Sequence, residues 1–252
     1  MGTPEIQLLG SGTAFHQDGR GSQCLVVRPT GEPPFLVDLG PTALAAAARF
    51  GVPTGELERL FVTHLHGDHL AGWPFLLLNL NFIDRRTRPF HVHGPVGVRA
   101  CLEGMMRLCY PDVLDGPGLS FEVHYHEIEV REAAGLEAGA IGFDVLPMSH
   151  HPSSIGYCFN LCGKRVAVTG DTRWCPNLER LARASDLLLV ECTTVERQEH
   201  AHVSLDELRS AVDRLGPCAV VLVHLTDDVA ADLAANPLPR VIAGHDGMIL
   251  PL

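Results

Sequence analysis

The chain has 252 residues, of which 46 per cent are hydrophobic, and its formal net charge is −11 with the histidines neutral. This composition excludes a disordered chain and provides enough apolar residues for a sizeable core. The acidic charge disfavours nucleic acid as a partner unless a local basic patch or a bound metal offsets it.

The N-terminal segment MGTPEIQLLGSG contains no basic region followed by a long apolar stretch, and the apolar runs elsewhere are too short to span a bilayer. We therefore expect neither a signal peptide nor contact with a membrane. The eight cysteines have irregular spacing, which is typical of reduced thiols in a cytoplasmic protein. The sequence thus predicts a cytoplasmic location and leaves the oligomeric state open, with a homodimer as one alternative.

Short strand patterns alternate with helical patterns along the whole chain, and no low-complexity linker interrupts them. The predicted strands cover residues 5–10, 23–28, 35–40, 59–64, 89–95, 119–130, 142–150, 154–161, 165–172, 186–191 and 218–225. The segment LSFEVHYHEIEV, residues 119–130, is predicted to be the longest alternating strand.

Helical patterns separate many of these strands. They cover residues 41–50, 71–82, 96–109, 177–184 and 204–216. Ser204 and Glu207 have the spacing of a capping box, which predicts where the last helix begins. In each half, strands are followed by a helix and a buried strand that ends in histidine, which indicates two packed β-sheets with helices outside. We expect a single domain over residues 1–252.

The segment THLHGDH, residues 63–69, places three histidines and an aspartate at the end of the apolar segment RLFVTH. His64 is predicted to end a buried strand, and His66, Asp68 and His69 to occupy the loop beyond it. His64 and His66 can converge on one point, and Asp68 and His69 on a second. Neutral imidazoles and carboxylates are ligands that borderline divalent metals prefer. The pattern therefore predicts two metals, which at about 3.5–4 Å apart would clamp a water nucleophile.

THLHGDH resembles the signature of the metallo-β-lactamase superfamily. The segments LLGSGTAF and FLVDLG resemble the first motifs of its ribonuclease Z branch, and AVTGDTRWCPNLERLARASDLLLVECTT, AHVSLDEL and VVLVHLT resemble its later motifs. This resemblance covers nearly the whole chain. It implies an α/β fold, the αββα four-layer sandwich of the superfamily, and a metal-dependent hydrolase.

The resemblance also implies a ligand set for two divalent ions. One ion would be bound by His64, His66 and a histidine of PMSHHPSSIGY, the other by Asp68, His69 and His224, with Asp171 bridging both. Zinc suits so many histidines best, whereas manganese or iron would fit a site with two carboxylates.

Two of these assignments have alternatives. In the family the ligand commonly lies seven residues before the Tyr of GY, so Tyr157 selects His150; the proline turn beside both histidines keeps His151 as the alternative. His224 is preferred because it ends an apolar strand, and its alternative is His245 in AGHDG.

The expected chemistry assigns roles to three residues. A water between two metals loses a proton near neutral pH, so a metal-bound hydroxide is the expected nucleophile. Asp68 can orient it and accept its proton. The segments ECTT and AHVSLDEL resemble the EAT and HST motifs of ribonuclease Z, which implies that His202 is the general acid and that Glu191 orients it. By position alone, His202 would be a solvated histidine before a helix.

Ribonuclease Z enzymes carry a long basic arm that grips transfer RNA, and in bacterial enzymes we expect it between GY and GDT. Only CFNLCGKRVAVT joins these motifs here, so the chain resembles arm-less relatives, which include hydrolases of small phosphodiesters. We predict a phosphodiesterase for small substrates such as cyclic nucleotides, and nucleic acid is the less favoured substrate. The alternatives are a hydrolase of carboxylic esters, lactones or thioesters, and a ribonuclease Z-like endonuclease for RNA 3′ ends. The full ligand set disfavours a metal-stabilised interaction protein.

Four further histidines lie at spacing two in predicted strands: His91, His93, His124 and His126. Each pair shares one face of a strand and can bind a metal, although a half-exposed strand face without metal is more common. His16 is a candidate pocket residue or an ordinary loop residue, and His200 is expected to be exposed. Tyr157 and Trp174 are predicted to be packing residues.

Overall fold

A computed structural model describes residues 4–16, 18–116, 118–197 and 202–252 of the chain. His200, expected to be exposed, lies outside these ranges. Within them, every helix is too short or too polar to cross a membrane.

The first half of the chain alternates strands with helices as the sequence predicts. Its strands are β1 (Glu5–Gly10), β2 (Cys24–Arg28), β3 (Phe35–Val37), β4 (Arg59–Phe61), β5 (Phe90–Pro95) and β6 (Val123–Ile128). Its helices are α1 (Ala43–Arg49), α2 (Gly67–Leu70), α3 (Trp73–Leu78), α4 (Val98–Cys109) and α5 (Pro111–Asp115). Short 3₁₀ and π turns add Thr54–Glu56 and Asn79–Ile83.

The second half repeats this alternation. Its strands are β7 (Ala133–Ala138), β8 (Ile141–Pro147), β9 (Ile155–Leu161), β10 (Lys164–Val168), β11 (Leu187–Glu191), β12 (Ala219–Val223), β13 (Val241–Ala243) and β14 (Ile249–Pro251). Its helices are α6 (Pro176–Arg183), α7 (Leu205–Ala211) and α8 (Asp227–Ala235), with a 3₁₀ turn at Val212–Leu215.

The strands form two seven-stranded sheets, in the orders β14-β1-β2-β3-β4-β5-β6 and β13-β12-β11-β10-β9-β8-β7. In the first sheet β3 to β6 run parallel, and in the second sheet β10 to β13 do. The remaining neighbours are antiparallel. Each sheet therefore contains one parallel half, and the carboxyl ends of its parallel strands share an edge.

Three apolar clusters pack the helices and the two sheets together into four layers. The first cluster packs α1, α3 and α4 on the outer face of the first sheet, and the second packs α6, α7 and α8 on the outer face of the second. The third lies between the sheets, where the rings of Phe35, Phe61, Phe159 and Tyr157 contact one another. The αββα sandwich expected from the sequence is thus confirmed.

Some predicted boundaries are wrong. The strand expected to end at His64 ends at Phe61, three residues earlier. The segment 119–130 forms only the six residues of β6, and the longest strands in the described ranges are β8 and β9, with seven each. The strand β7 was not predicted, because AAGLEA has low β-propensity and its register shifts around Gly135, whose φ is +68°.

The predicted capping box is confirmed at the start of α7. The Ser204 side chain accepts from the Glu207 backbone N–H at 3.2 Å, and the Glu207 carboxylate accepts from the Ser204 N–H at 3.1 Å. These two bonds satisfy N–H groups that a helix start otherwise leaves unpaired.

Ser204→Ala should therefore lower the free energy of unfolding by about 1 kcal/mol, measured by urea denaturation. Ser210→Ala on the exposed side of the same helix is the matched control, since its hydroxyl bonds only to the Glu207 carbonyl. Its effect should stay within about 0.5 kcal/mol. Equal losses in the two variants would contradict the importance of the cap.

Candidate metal centre

The candidate site lies where the parallel strands of both sheets end. Residues just beyond or at the carboxyl ends of neighbouring strands supply its side chains: Asp38 after β3, His64 after β4, Asp171 after β10, Glu191 in β11 and His224 after β12. Loops at such strand ends are common places for ligand sites because the scaffold beneath them is rigid. Tight packing of both sheets brings these ends to one cleft.

One group of possible metal ligands consists of His64, His66 and His150, which offer donor atoms within 4.8 Å of one another. The His66 Nδ1 and His150 Nε2 atoms are 3.2 Å apart. His66 is the last residue before the short helix α2, and its ring centroid lies 4.6 Å from that of His64.

A second group consists of Asp68, His69, Asp171 and His224, again within 4.8 Å. The Asp68 Oδ2 atom is 3.3 Å from His69 Nε2 and 3.2 Å from His224 Nε2. Asp68 and His69 lie within the short helix α2, whereas the sequence predicted a loop at this position. His224 adopts a positive φ of 47°, an uncommon backbone conformation for a residue with a side chain.

The Asp171 carboxylate lies between the two groups. Its Oδ2 atom is 3.9 Å from His64 Nε2 and 3.7 Å from His150 Nε2, and its Oδ1 atom is 3.3 Å from His69 Nε2. The His224 Nε2 atom is 3.6 Å from Asp171 Oδ2. The Oδ2 atom thus lies within 4 Å of histidines from both groups, which is the arrangement of a ligand shared by two cations.

Three buried polar atoms in this cleft have no hydrogen-bond partner among the described residues: His64 Nε2, His69 Nε2 and Asp171 Oδ1. His64 and His69 are fully buried, and Asp171 is 3 per cent exposed. Leaving buried polar atoms unpaired is costly, so native proteins rarely tolerate it without a ligand or another reason. Imidazole nitrogens and carboxylate oxygens are also the correct donors for a divalent ion, and the residues therefore fit bound metal.

A buried aspartate that sequence analysis left without a role orients two of the histidines. The Asp38 Oδ2 atom accepts from His69 Nδ1 at 2.8 Å and from the Thr63 hydroxyl at 2.9 Å. The Thr63 oxygen is 3.1 Å from His64 Nδ1. Both Nδ1 atoms are thus occupied by hydrogen bonds, which leaves both Nε2 atoms free to coordinate.

The protonation of these histidines is set by burial and by neighbouring charges. Burial, together with the nearby His69, lowers the pKa of His64 to about 2, so His64 is neutral at physiological pH. Burial alone would lower the pKa of His69, but the carboxylates of Asp171 and Asp38 raise it well above the ordinary value. The carboxylates therefore create enough negative potential to hold a proton or a cation at this position.

The predicted acid pair, His202 and Glu191, is close to the shared aspartate. The His202 Nδ1 atom lies 2.8 Å from Glu191 Oε1 and 3.9 Å from Asp171 Oδ2. Glu191 also accepts from the Thr172 backbone N–H at 2.7 Å and from the Thr193 hydroxyl at 3.0 Å. These bonds fix the Glu191 carboxylate, whereas the His202 side chain is 28 per cent exposed and faces the open cleft.

The two alternative ligands lie outside the ligand groups of the described residues. His151 Nδ1 contacts the Ser153 hydroxyl at 2.7 Å, and His245 Nδ1 contacts the Asp246 carbonyl at 3.1 Å. The ring of His151 nevertheless lies 4.8 Å from that of His66. His150 and His224 are the histidines that converge with the remaining predicted ligands.

The other predicted residues have structural contacts. His16 bonds within its own loop, to the Arg20 carbonyl and the Ser22 hydroxyl. Tyr157 is buried between the sheets. The Trp174 indole N–H donates to Glu179 at 2.9 Å.

Comparison with known proteins identifies relatives along the full length of the chain. A ribonuclease Z of Mycobacterium sp. (strain KMS) is 29% identical, and the match covers 97% of this chain and 94% of the relative. The human short form of tRNase Z, ELAC1, superimposes with a TM-score of 0.80 at 22% identity over 98% of both chains. The metallo-β-lactamase fold protein YhfI from Bacillus subtilis superimposes with a TM-score of 0.76 at 17% identity over 99% of both chains.

The superpositions establish the metallo-β-lactamase fold, and the relative named ribonuclease Z comes from the branch that the motifs resemble. With the histidine and aspartate groups described above, they make the chain a metal-dependent hydrolase. A more specific match comes from the sequence model of the family described as Anti-Pycsar protein Apyc1, which covers residues 4–240. Because this match extends over nearly the whole chain, the protein belongs to the Anti-Pycsar protein Apyc1 family.

Proposed function

We propose that this protein is a dinuclear metal-dependent phosphodiesterase that acts on small phosphodiesters such as cyclic nucleotides. The observation that carries the proposal is that two ligand groups meet at Asp171 and that the His202–Glu191 pair faces the same carboxylate. Hydrolysis of an alkyl phosphodiester must expel a poor leaving group, an alkoxide. A site with two cations and a positioned acid supplies what that step needs.

Seven residues would hold the two ions. They are His64, His66 and His150 for one ion and Asp68, His69 and His224 for the other, with Asp171 shared. Zinc is the ion that suits these histidines best, and manganese or iron are the alternatives. When bound, the ions would neutralise phosphoryl charge and lower the pKa of a water molecule.

Asp68 is suited to orient the attacking water and to accept its proton. Burial would raise the pKa of Asp68, but the hydrogen bond with His224 and the His69 imidazole 3.3 Å away outweigh burial and hold that pKa below its ordinary value. The carboxylate is therefore ionised at physiological pH. Its side chain is 15 per cent exposed, so it borders the cleft into which a substrate would enter.

His202 is suited to protonate the leaving oxygen. The Glu191 carboxylate accepts the Nδ1–H of His202, which directs the opposite nitrogen, Nε2, away from Glu191. A proton on that nitrogen can pass to an alkoxide that leaves the phosphorus. Glu191 acts as a positioning residue, since its own oxygens are occupied by Thr172, Thr193 and His202.

The connection between β9 and β10 supports a small substrate. These strands form a hairpin in which Cys162 and Gly163 make the turn, with φ of 54° and 82°. Two successive residues with positive φ are typical of a tight two-residue hairpin. This short turn leaves no segment at this point that could form an RNA-gripping arm. A net charge of −11 also disfavours the binding of a long polyanion.

Processing of RNA 3′ ends is the second candidate. The relatives named ribonuclease Z are 24–29% identical over 83–94% of their own lengths, which favours the same chemistry on a phosphodiester of RNA. A panel with metal-loaded protein separates the candidates: bis(p-nitrophenyl) phosphate, cyclic nucleotides, lactones and transfer RNA precursors. Turnover of a lactone without turnover of any phosphodiester would refute both candidates and favour an ester hydrolase.

His202→Ala should slow hydrolysis of an alkyl phosphodiester by about 10²–10⁴-fold, the usual contribution of a general acid. The loss of hydrolysis rate for a p-nitrophenyl diester should be much smaller, because its phenolate leaves without needing a proton. Metal content should match that of wild type. His245→Ala is the control, since His245 lies outside the ligand groups. Equal losses on both substrates would contradict the acid role, and loss of metal would make His202 a ligand.

Asp171→Ala should lower the occupancy of both metal sites, because it removes the carboxylate that faces both ligand groups. Metal analysis after dialysis should give about two ions per wild-type chain and far fewer in the variant. Asp228→Ala on the exposed start of α8 serves as the control. One tightly bound ion in wild type that survives Asp171→Ala would refute the dinuclear proposal.

Asp38→Asn should weaken metal binding by about 10–100-fold, the usual effect of removing a group that orients a ligand histidine. The amide keeps the size of the carboxylate but not the charge that supports His69. Competition with a chelator measures the change. Asp144→Asn, at the Arg165 ion pair away from the centre, should retain wild-type affinity. Unchanged affinity in Asp38→Asn would show that His69 needs no such support.

A further inference from the structure

A second cluster of histidines lies at the edge of the first sheet, outside the candidate metal centre. Its members are His91 and His93 in β5 and His124 and His126 in β6. The two strands are parallel, and their register pairs His91 with His124 and His93 with His126. Residues two apart lie on one face of a strand, so all four rings lie on the same face.

The rings of this edge cluster are in direct contact. The His91 Nδ1 and His126 Nε2 atoms are 3.1 Å apart. The His93 and His126 rings are stacked with centroids 4.3 Å apart, and the His91 and His124 centroids are 5.1 Å apart. The close Nδ1–Nε2 pair repeats the arrangement of His66 and His150 in the candidate metal centre, where the same two atom types are 3.2 Å apart.

We propose that His91 and His126 bind a borderline transition-metal cation such as Zn²⁺ at this edge, with His124 as a third ligand. Zinc bound by histidine has metal–nitrogen distances of about 2.0–2.1 Å, so two tetrahedral ligand atoms lie about 3.3 Å apart. The 3.1 Å separation of the two nitrogens is close to this value. The site is independent of the proposed phosphodiesterase function.

His124 can join the pair if its side chain turns toward His91, whose ring centroid is 5.1 Å from that of His124. Its Nε2 atom now lies 2.8 Å from Glu122 Oε2, and the two side chains are 43 and 80 per cent exposed. An exposed contact of this kind contributes little to stability, so a cation can replace it. Glu122 would remain near the ion as a source of negative charge.

The charge around the cluster is compatible with a cation. Arg59, the neighbour of His91 across the sheet, forms ion pairs with Glu32 at 3.4 Å and with Glu58 at 3.7 Å. Burial, followed by the neighbouring histidines, lowers the pKa values of His91 and His126. Both rings are therefore neutral at physiological pH, as coordination requires.

His93 packs against the ring of His126 and supports it, and is not one of the proposed ligands. Its ring is 5 per cent exposed and stacks against Phe61 with centroids 4.7 Å apart. Burial and the nearby His126 lower its pKa to about 3. His93 thus holds the ring of His126 in place from the apolar side, which leaves the nitrogen of His126 free toward His91.

A bound ion would connect the edge strand β6 to β5. Edge strands lack a partner on one side and are the part of a sheet most prone to open. An ion that binds only the folded state raises the stability of that state in proportion to its concentration. The expected result is a Zn²⁺-dependent rise in the unfolding temperature.

Calorimetric titration of the metal-loaded protein with Zn²⁺ tests the proposal. We expect one more equivalent to bind to wild type than to His126→Gln or His91→Gln, whose remaining affinity should be lower by about tenfold or more. His245→Gln, an exposed histidine outside the cluster, is the matched control and should bind as wild type does. Unfolding temperature should rise with Zn²⁺ in wild type and His245→Gln only.

Two results would overturn the proposal. One is the same number of Zn²⁺ equivalents in wild type and in both cluster variants. The other is no uptake by wild type beyond the ions already loaded. Either result would mean that His91 and His126 only hydrogen-bond to each other. Because all variants keep the ligands of the central site, neither result depends on the number of ions there.

Discussion

Buried imidazole and carboxylate atoms without hydrogen-bond partners are the constraint on which this structure depends. Among the described residues, His64 Nε2, His69 Nε2 and Asp171 Oδ1 are three of the six buried side-chain nitrogen and oxygen atoms without a hydrogen-bond partner. Such atoms destabilise a protein unless a cation faces them. The fold must therefore hold desolvated groups, some of which repel one another, close together. The hydrogen bonds and the packing beneath these groups keep them from moving apart.

The two sheets are joined directly beneath the candidate centre. The Tyr157 hydroxyl in β9 donates to the Val62 carbonyl at 2.8 Å, and the Ile155 N–H donates to the Thr63 carbonyl at 2.9 Å. Val62 and Thr63 immediately precede His64, which follows a strand of the first sheet, whereas Asp171 follows a strand of the second. These bonds fix the separation between ligands from different halves of the chain, and the aromatic core below them resists sliding.

Much of the fold and of the candidate site could be predicted from the sequence, because both have strong local patterns. Apolar runs located most strands, and THLHGDH located four of the ligands. The remaining part depends on contacts distant in sequence. Asp38 lies 31 residues from His69, and no local spacing relates the two. Likewise β7 forms because β8 pairs with it, although AAGLEA has little preference for a strand.

The same H-x-H spacing has different consequences in the two histidine clusters, because one pair follows the end of a strand and the other lies within a strand. His64 and His66 follow the end of a strand, where the chain turns and neighbouring carboxylates enter the same cleft. His91 and His93 remain within a strand, so their rings lie on one face of it and contact His124 and His126 of β6. The sequence favours metal for the first pair because further imidazole and carboxylate ligands follow it, whereas strand pairing decides which rings of the second cluster meet. A catalytic centre needs bridging charge and an open cleft, and in the part of the chain that the structure describes both occur together at the strand ends.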